Sequence, residues 1–273
     1  MLSFSSGAAF AKGLFPDLGA MGTAAIRLAF AAVIMLVVLR GWRARITRDN
    51  WGALTIYGVT LCGMNLFFYL ALMRLPLGVT SAIEFMGPLS VSVIFSNNRR
   101  DIIWAVLAAV GLLLLMPLTG GPDALDPVGI VWALASAICW ALYIVYGQKA
   151  GSHHGTQTAA LGTGIAALVA LPFGIAEAGS SLLNTDLLPL VLAVALLSGA
   201  IPFTLEMFSL QRLPARTFGV LMSIEPVFGA LVGFVVLREA LTLTQALAIA
   251  LVVVACAGAA LSARPKTTIA PHA

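Results

Sequence analysis

Long apolar stretches follow one another along most of the chain, and the short segments between them collect charged residues. An α-helix needs about 17 to 25 predominantly apolar residues to cross a bilayer core. Nine stretches meet this requirement, and each predicts a transmembrane helix. They are residues 20–40, 51–73, 77–96, 102–119, 128–147, 157–178, 187–211, 215–237 and 243–262.

A shorter apolar piece precedes these stretches. Residues 1–15 are too short to span a bilayer, and the piece ends at Lys12 and Pro16. It lacks the basic start and the small-residue cleavage site of a signal peptide, so we interpret it as the second half of a first span. The sequence predicts an all-α polytopic membrane protein with ten transmembrane helices, the first of them truncated.

Composition supports a membrane location. The chain is 60% hydrophobic and only 10% charged, and its mean hydropathy is +1.02, whereas soluble domains carry about 25% charged residues. Its cysteines, Cys62, Cys139 and Cys256, lie far apart in apolar runs, so the sequence offers neither a disulfide framework nor a zinc spacing. We predict no cofactor and no metal site. We expect the bilayer, and not nucleic acid, to be the partner of this basic chain.

Basic residues fall mainly on one side of the predicted membrane. With the N-terminus placed inside, eleven of the fifteen Lys and Arg residues are cytoplasmic, as the positive-inside rule favours. Lys12, Arg74 and Arg238 fall outside. We therefore predict that both termini are cytoplasmic.

Part of the sequence is repeated. Arg74, Leu75, Pro76 and Pro88 recur 138 residues later (212 minus 74) as Arg212, Leu213, Pro214 and Pro226. This displacement contains five spans, an odd number, so the second copy enters the membrane from the opposite side. Inverted repeats of this kind are typical of secondary transporters with a substrate site near the bilayer midplane. The predicted units are residues 1–119 and 128–263, followed by a cytoplasmic tail at 264–273.

Two carboxylates lie near the middle of predicted spans. Glu84 and Glu225 are placed where a charge costs about 2.5 to 3.5 kcal/mol on insertion scales. Aligned through the repeat they are three positions apart, on one helical face, so both could face one cavity. They either take up a proton or bind an ammonium group, or they are structural residues kept protonated or paired with freed backbone groups.

Other polar and aromatic side chains within spans are candidate contacts. Arg27 either snorkels to the outer boundary or faces inward, where it would receive a carboxylate or pair with Glu84. Glu206 either forms an interfacial ion pair near Arg212 and Arg216 or contacts substrate. Asn65, Trp140 and Tyr143 either hydrogen-bond and enclose a small substrate or serve in packing and interfacial belts.

Two prolines lie beside the carboxylates. Pro88 and Pro226 remove helix hydrogen bonds and free carbonyl groups next to Glu84 and Glu225. The result is either a broken helix that lines a cavity or a kink without a ligand.

Soluble-enzyme signatures are absent from the sequence. It contains no G-x-G-x-x-G, Walker A, H-E-x-x-H, G-x-S-x-G or C-x-x-C motif, and we predict that the protein is not an enzyme. We expect the adjacent His153 and His154 to be solvated in a cytoplasmic loop. Without a nucleotide site, transport would draw on an ion gradient or on the gradient of the substrate itself.

Several dispersed motifs resemble one family. The chain resembles the drug/metabolite transporter superfamily with two EamA-type repeats, and within it the bacterial inner-membrane exporters of threonine and homoserine. The resemblance extends from about residue 3 to residue 263. It is carried by Gly63-Met64-Asn65, Pro76-Leu77-Gly78, the run from Glu84 to Leu89, the run from Cys139 to Ile144, Leu205-Glu206-Met207, the run from Arg212 to Gly219, and the run from Leu221 to Pro226.

The resemblance implies a function and a location. It implies a multi-pass protein of the cell inner membrane that exports small amino acids, with Glu84 and Glu225 holding the ammonium group or exchanging it for protons and Arg27 meeting the carboxylate. Family members begin with a complete first helix, so we expect either a shortened helix or a natural start upstream of Met1. The alternatives are broader drug or metabolite efflux and a non-transporting membrane scaffold or accessory subunit. The oligomeric state is not predicted.

Overall fold

Every regular element is helical in the part of the chain that the computed structural model describes, which is residues 2–43, 48–94, 101–115, 125–154, 157–212, 225–239 and 241–262. A helix overlaps each apolar stretch. The helices are α1 (Leu2–Lys12), α2 (Phe15–Val38), α3 (Arg48–Leu72), α4 (Leu77–Glu84), α5 (Met86–Ile94), α6 (Asp101–Leu115), α7 (Pro127–His154), α8 (Gln157–Ala178), α9 (Leu188–Ala195), α10 (Ile201–Arg212), α11 (Glu225–Val236) and α12 (Leu243–Ser262).

Among the described residues, five helical segments are long and apolar enough to cross a membrane. They are Phe15–Val38, Trp51–Leu72, Pro127–Gly151, Gln157–Leu183 and Thr185–Glu206. Large apolar side chains remain exposed along the helices, among them Val33, Leu168 and Phe234. Such a surface is expected where lipid, and not water, surrounds the protein.

The helices pack in pairs. α2 lies along α8, α3 along α7, α6 along α12, and α4 against α11. Small residues bring α4 and α11 close together, because a Cβ on Gly78 would lie 2.7 Å from Ala230 Cα and one on Gly229 would lie 2.8 Å from Ser81 Oγ. Close approach at small residues stabilises helix pairs in membranes through van der Waals contact.

Glycine breaks the first part of α2. Gly19 has a φ of +67°, a conformation that suits glycine because it has no Cβ. The carboxylate of Glu177, at the end of α8, accepts hydrogen bonds from the backbone N–H groups of Met21 (2.6 Å) and Gly22 (3.0 Å). A carboxylate at a helix N-terminus also interacts favourably with the helix dipole, so Glu177 fixes where the long segment of α2 begins.

The predicted span 77–96 is interrupted. α4 ends at Glu84 and α5 begins at Met86, so the break lies at Phe85, three residues before Pro88. Pro88 has no N–H to donate to the Glu84 carbonyl, and its ring collides with that carbonyl in a continuous helix. The corresponding effect of Pro226 concerns a carbonyl within residues 213–224, which lie outside the described residues.

A second irregularity lies between α9 and α10. Residues Leu196–Ala200 form a π-helical turn that continues directly into α10. π-turns of this kind are found frequently at functional sites, because they displace a side chain and a carbonyl from the regular helical pattern.

The loop prediction for the histidine pair is wrong. α7 continues to His154, so His153 and His154 lie in its last turn. Hydropathy marks only the part of a helix that lies within lipid, and it does not show how far the helix continues beyond the apolar stretch.

Two ion pairs join segments that the charge pattern places outside the membrane. Lys12, at the end of α1, pairs with Glu239, which also accepts a hydrogen bond from the backbone N–H of Leu77 at 2.8 Å. Arg74 Nη1 lies 2.6 Å from Asp126 Oδ2. The hydrogen bond from Arg74 lowers the pKa of Asp126, and the backbone N–H of Val128 lowers it further.

The Arg74–Asp126 pair predicts a pH-dependent stability. A carboxyl group with a lowered pKa stabilises the folded state above its unfolded pKa of about 3.9, and this contribution is lost as the pH falls through the folded value. We expect Asp126→Asn to melt slightly below wild type at neutral pH, and the difference to disappear on acidification. Thermal unfolding in detergent across a pH series measures this. A constant difference at every pH would contradict it.

Candidate functional site

Arg27 is buried inside the helix bundle. Only 2% of the residue is exposed, so the snorkelling alternative does not apply and its side chain faces inward. Its Nη1 donates to the Ser198 carbonyl oxygen at 2.6 Å and to Ser198 Oγ at 3.0 Å, and Nη2 donates to Asn65 Oδ1. The guanidinium also lies 5.1 Å from the centre of the Tyr69 ring, within the range of a cation–π interaction.

Asn65 orients this arginine. Its Nδ2 donates to the Leu61 carbonyl oxygen at 2.7 Å while its Oδ1 accepts from Arg27. Because an amide has donors on one side and an acceptor on the other, the bond to Leu61 directs the oxygen toward the guanidinium. Asn65 therefore positions Arg27 in the described conformation.

Ser198 was not among the predicted site residues. It lies in the π-helical turn, is fully buried, and presents both its carbonyl and its hydroxyl to Arg27. The sequence signal was weak, because a single Ser-Gly pair within the apolar stretch 187–211 is common in membrane helices.

One nitrogen of the guanidinium is left without a partner. Arg27 Nε is buried and forms no hydrogen bond within the described part of the chain. An arginine has five N–H donors in a planar fork, and a buried unsatisfied donor on a charged group requires an explanation. The Nε edge matches the geometry of a carboxylate, so the site can receive an anionic group there.

Glu84 forms the acidic part of the interior. It is 4% exposed, and its Oε1 lies 2.6 Å from Ser136 Oγ on α7. The same hydroxyl lies 2.7 Å from the Met64 carbonyl oxygen on α3. Ser136 was also missed at the sequence level, since an isolated serine in a span carries no large insertion cost.

Glu225 lies at about the same height along the α4–α11 helix pair as Glu84. The contacts of Gly78 with Ala230 and of Ser81 with Gly229 show that α4 and α11 run antiparallel. One further turn along each helix brings Glu84 and the first residue of α11, Glu225, to the same height, and Glu225 is 5% exposed. The two carboxyl groups lie near enough to influence each other electrostatically.

Arg27 and the two intramembrane carboxyl groups are thus enclosed without being paired directly. Arg27 bonds to Asn65 and Ser198 instead of Glu84, which corrects the alternative in which Arg27 pairs with Glu84. The ion pairs recorded for the described residues include neither Arg27 nor either intramembrane carboxylate. A buried cation without a carboxylate partner is costly unless another group complements it, and a zwitterion supplies a carboxylate for Arg27 together with an ammonium group.

The remaining candidates lie in different surroundings. Trp140 is buried and contacts Phe85 edge to face at 5.3 Å between ring centres. Tyr143 stacks on Tyr57, with 4.8 Å between ring centres and 3.4 Å between hydroxyl oxygens. Glu206 on α10 is partly exposed and interacts electrostatically with this tyrosine pair.

The predicted interfacial ion pair of Glu206 involves Arg212 and Arg216. The side chain of Arg212 is not described, and Arg216 lies outside the described residues. Within the described residues, no group of three His, Cys, Asp or Glu side chains is arranged to hold a metal ion.

Known proteins resemble this chain over nearly its whole length. It is 44% identical over 269 residues to the threonine/homoserine exporter RhtA of Escherichia coli K12, and 45% identical to the exporter of the same name from Salmonella typhimurium LT2. Each alignment covers 98% of this chain and 91% of the relative.

Structure and family comparisons agree with this similarity. A solved crystal structure superposes on this chain with a TM-score of 0.63, and the alignment covers 94% of both chains. The two sequences are 20% identical, so this similarity shows the fold alone. Residues 127–261 match the EamA-like transporter family. The chain has several helices that could span a membrane, and its relatives are exporters. It is therefore a multi-pass membrane protein that transports a small molecule, and it is not an enzyme. The chain belongs to the EamA-like transporter family.

Proposed function

We propose that the protein exports small amino acids of the threonine and homoserine type. The observation that carries this proposal is the buried guanidinium of Arg27, whose Nε has no hydrogen-bond partner in the described part of the chain, together with the buried Glu84, which forms no ion pair with it. A substrate carboxylate binds at Arg27, and its ammonium group binds at Glu84 and Glu225. The names of the relatives supply the cargo class.

The proposed transport cycle uses ten helices in two inverted repeats, residues 1–119 and 128–263. The helix pairing supports this division, because α2 with α8 and α6 with α12 are each equivalent under the displacement of 138 residues, and α4 and α11 belong to the equivalent spans 77–96 and 215–237. Pairing of equivalent helices is the pattern that a two-fold axis relating the halves produces. Each half adopts in turn the packing that the other has left, which gives alternating access.

The proposed location is the cell inner membrane, with both termini and the tail at 264–273 cytoplasmic. The positive-inside pattern supports this orientation, and the contacts of Lys12 with Glu239 and of Arg74 with Asp126 are consistent with the predicted grouping of the outer segments. Both contacts require the joined segments to lie at the same end of the bundle.

The proposed driving force is the proton gradient. Glu84 and Glu225 are buried carboxylates at one level of the α4–α11 crossing, where they can carry either a substrate ammonium group or a proton. Competition between the two couples the outward movement of substrate to the inward movement of protons.

Transport into inverted membrane vesicles tests the proposal. We expect a proton gradient to drive uptake of radiolabelled threonine and homoserine by the wild type, and Glu84→Gln or Glu225→Gln to abolish that uptake, because each removes a carboxylate that binds the ammonium group or the proton. Asp126→Asn, which removes a carboxylate from the exposed ion pair, is the control and retains uptake. Wild-type uptake by both Gln variants would assign the acids a structural role. Failure of the wild type to move either amino acid would overturn the cargo.

A further inference from the structure

The hydroxyl group of Ser136 lies between two oxygen atoms from neighbouring helices. Its Oγ lies within hydrogen-bond distance of two acceptors, the Met64 carbonyl oxygen at 2.7 Å and Glu84 Oε1 at 2.6 Å. A serine hydroxyl has one proton to donate. A carbonyl oxygen cannot donate, so if the hydroxyl bonds to Met64, its contact with Glu84 needs a proton on the carboxyl group.

From this we infer that Glu84 is protonated in the described conformation and that Ser136 is the positioning residue that links its proton to helix α3. This inference rests on the proposed proton-coupled transport. When Glu84 is protonated, it donates to Ser136 and Ser136 donates to Met64, so α4, α7 and α3 are joined in one chain of hydrogen bonds. When Glu84 is ionised, the hydroxyl turns to the carboxylate and releases the Met64 carbonyl.

The position of Met64 gives this switch a direct route to the substrate site. Met64 precedes Asn65, which orients Arg27, and both residues lie on α3. The proton on Glu84 and the carboxylate site at Arg27 are therefore connected through adjacent residues of one helix. Loss of the proton frees a backbone group beside the residue that positions the guanidinium.

The other charged groups near Glu84 are compatible with this assignment. Glu225 on α11, Arg27 on α2 and Cys139 on α7 lie near enough to interact with it electrostatically. The described helices α5 and α12 carry no Asp, Glu, Lys or Arg, and Lys12 of α1 is engaged by Glu239. On α3, Arg48 and Asp49 lie at its start, more than four turns before Met64.

Infrared spectroscopy of the reconstituted protein tests the inference without requiring transport. We expect a carbonyl stretching band of a protonated carboxylic acid that is absent from Glu84→Gln. We expect Ser136→Ala to shift this band to higher frequency, because hydrogen bonding lowers the stretching frequency of a carboxylic acid. Ser136→Thr retains a hydroxyl and restores the band to near its wild-type position. Thr80→Val is the control, since Thr80 on α4 is buried and bonds to the Pro76 carbonyl of its own helix.

A second measurement addresses coupling. We expect the purified protein to release protons when threonine is added, and a pH-indicator dye in the solution measures this release. We expect the release to be lost in Glu84→Gln and retained in Thr80→Val. Persistence of the infrared band in Glu84→Gln, or an unshifted band in Ser136→Ala, overturns the inference even where amino-acid transport is intact. A wrong cargo instead leaves the infrared results unchanged and abolishes only the threonine-dependent release.

Discussion

Replacing Arg27 by Gln is expected to weaken the binding of threonine about 100-fold or more. The substitution leaves the substrate carboxylate without its partner in a buried site, and breaking a buried charge pair in this way costs about 3 to 5 kcal/mol, with about 1.4 kcal/mol for each factor of ten. Arg27→Lys retains the charge but not the planar fork, so we expect an intermediate loss. Equilibrium binding of radiolabelled threonine to purified protein measures both.

An amino alcohol analogue shows whether the lost interaction involves the carboxylate. We expect wild type to prefer threonine strongly over the analogue in which a hydroxymethyl group replaces the carboxylate, and Arg27→Gln to lose that preference. Arg74→Gln is the matched control, because Arg74 is exposed and bonds to Asp126 outside the bundle. Undiminished discrimination by Arg27→Gln would show that Arg27 is not the carboxylate partner.

Replacing Gly87 by Ala is expected to destabilise the protein and to abolish transport. A Cβ at this position would collide with the Ala137 carbonyl oxygen of α7, which is backbone and cannot turn aside as a side chain can. Overpacking of this kind costs about 1 to 3 kcal/mol or more. The displaced interface is the one across which Ser136 contacts Glu84, so transport is lost along with stability. Thermal unfolding in detergent and vesicle uptake measure the two effects.

Gly151→Ala supplies the control for this prediction. Gly151 lies within α7, the helix that Gly87 of α5 contacts, and a Cβ there would meet nothing within 4 Å. Because alanine favours the helix by up to about 1 kcal/mol over glycine, this variant is expected to be neutral or slightly more stable. Equal melting temperatures for the two variants would show that the close approach at Gly87 has little energetic importance.

The positions of the helices could be predicted from hydropathy because lipid leaves few alternatives. A backbone in hydrocarbon must satisfy its polar groups internally, so each long apolar stretch becomes helical. Hydropathy is less informative about where a helix is broken. Pro88 indicated the break near Glu84, whereas nothing in the local sequence indicated the π-helical turn at Leu196–Ala200 or the extension of α7 to His154.

The charged site residues could be recognised in the sequence because lipid also penalises charged side chains. Arg27, Glu84 and Glu225 stand out because a charge within a span is costly and needs a compensating group. Ser136 and Ser198 carry no such cost, because a serine hydroxyl can bond to its own helix. Their roles depend on which helix lies opposite them, and the sequence does not specify that.

The sequence by itself thus determined that the chain is a helical membrane protein with charged residues inside, since these properties follow from the cost of transferring each residue into lipid. Only the tertiary structure decided that Arg27 bonds to Asn65 and Ser198 with Nε left open, and that one serine hydroxyl joins Glu84 to Met64. The physical reason is that transfer energies act on single residues, whereas hydrogen bonds between distant segments depend on which helices come together.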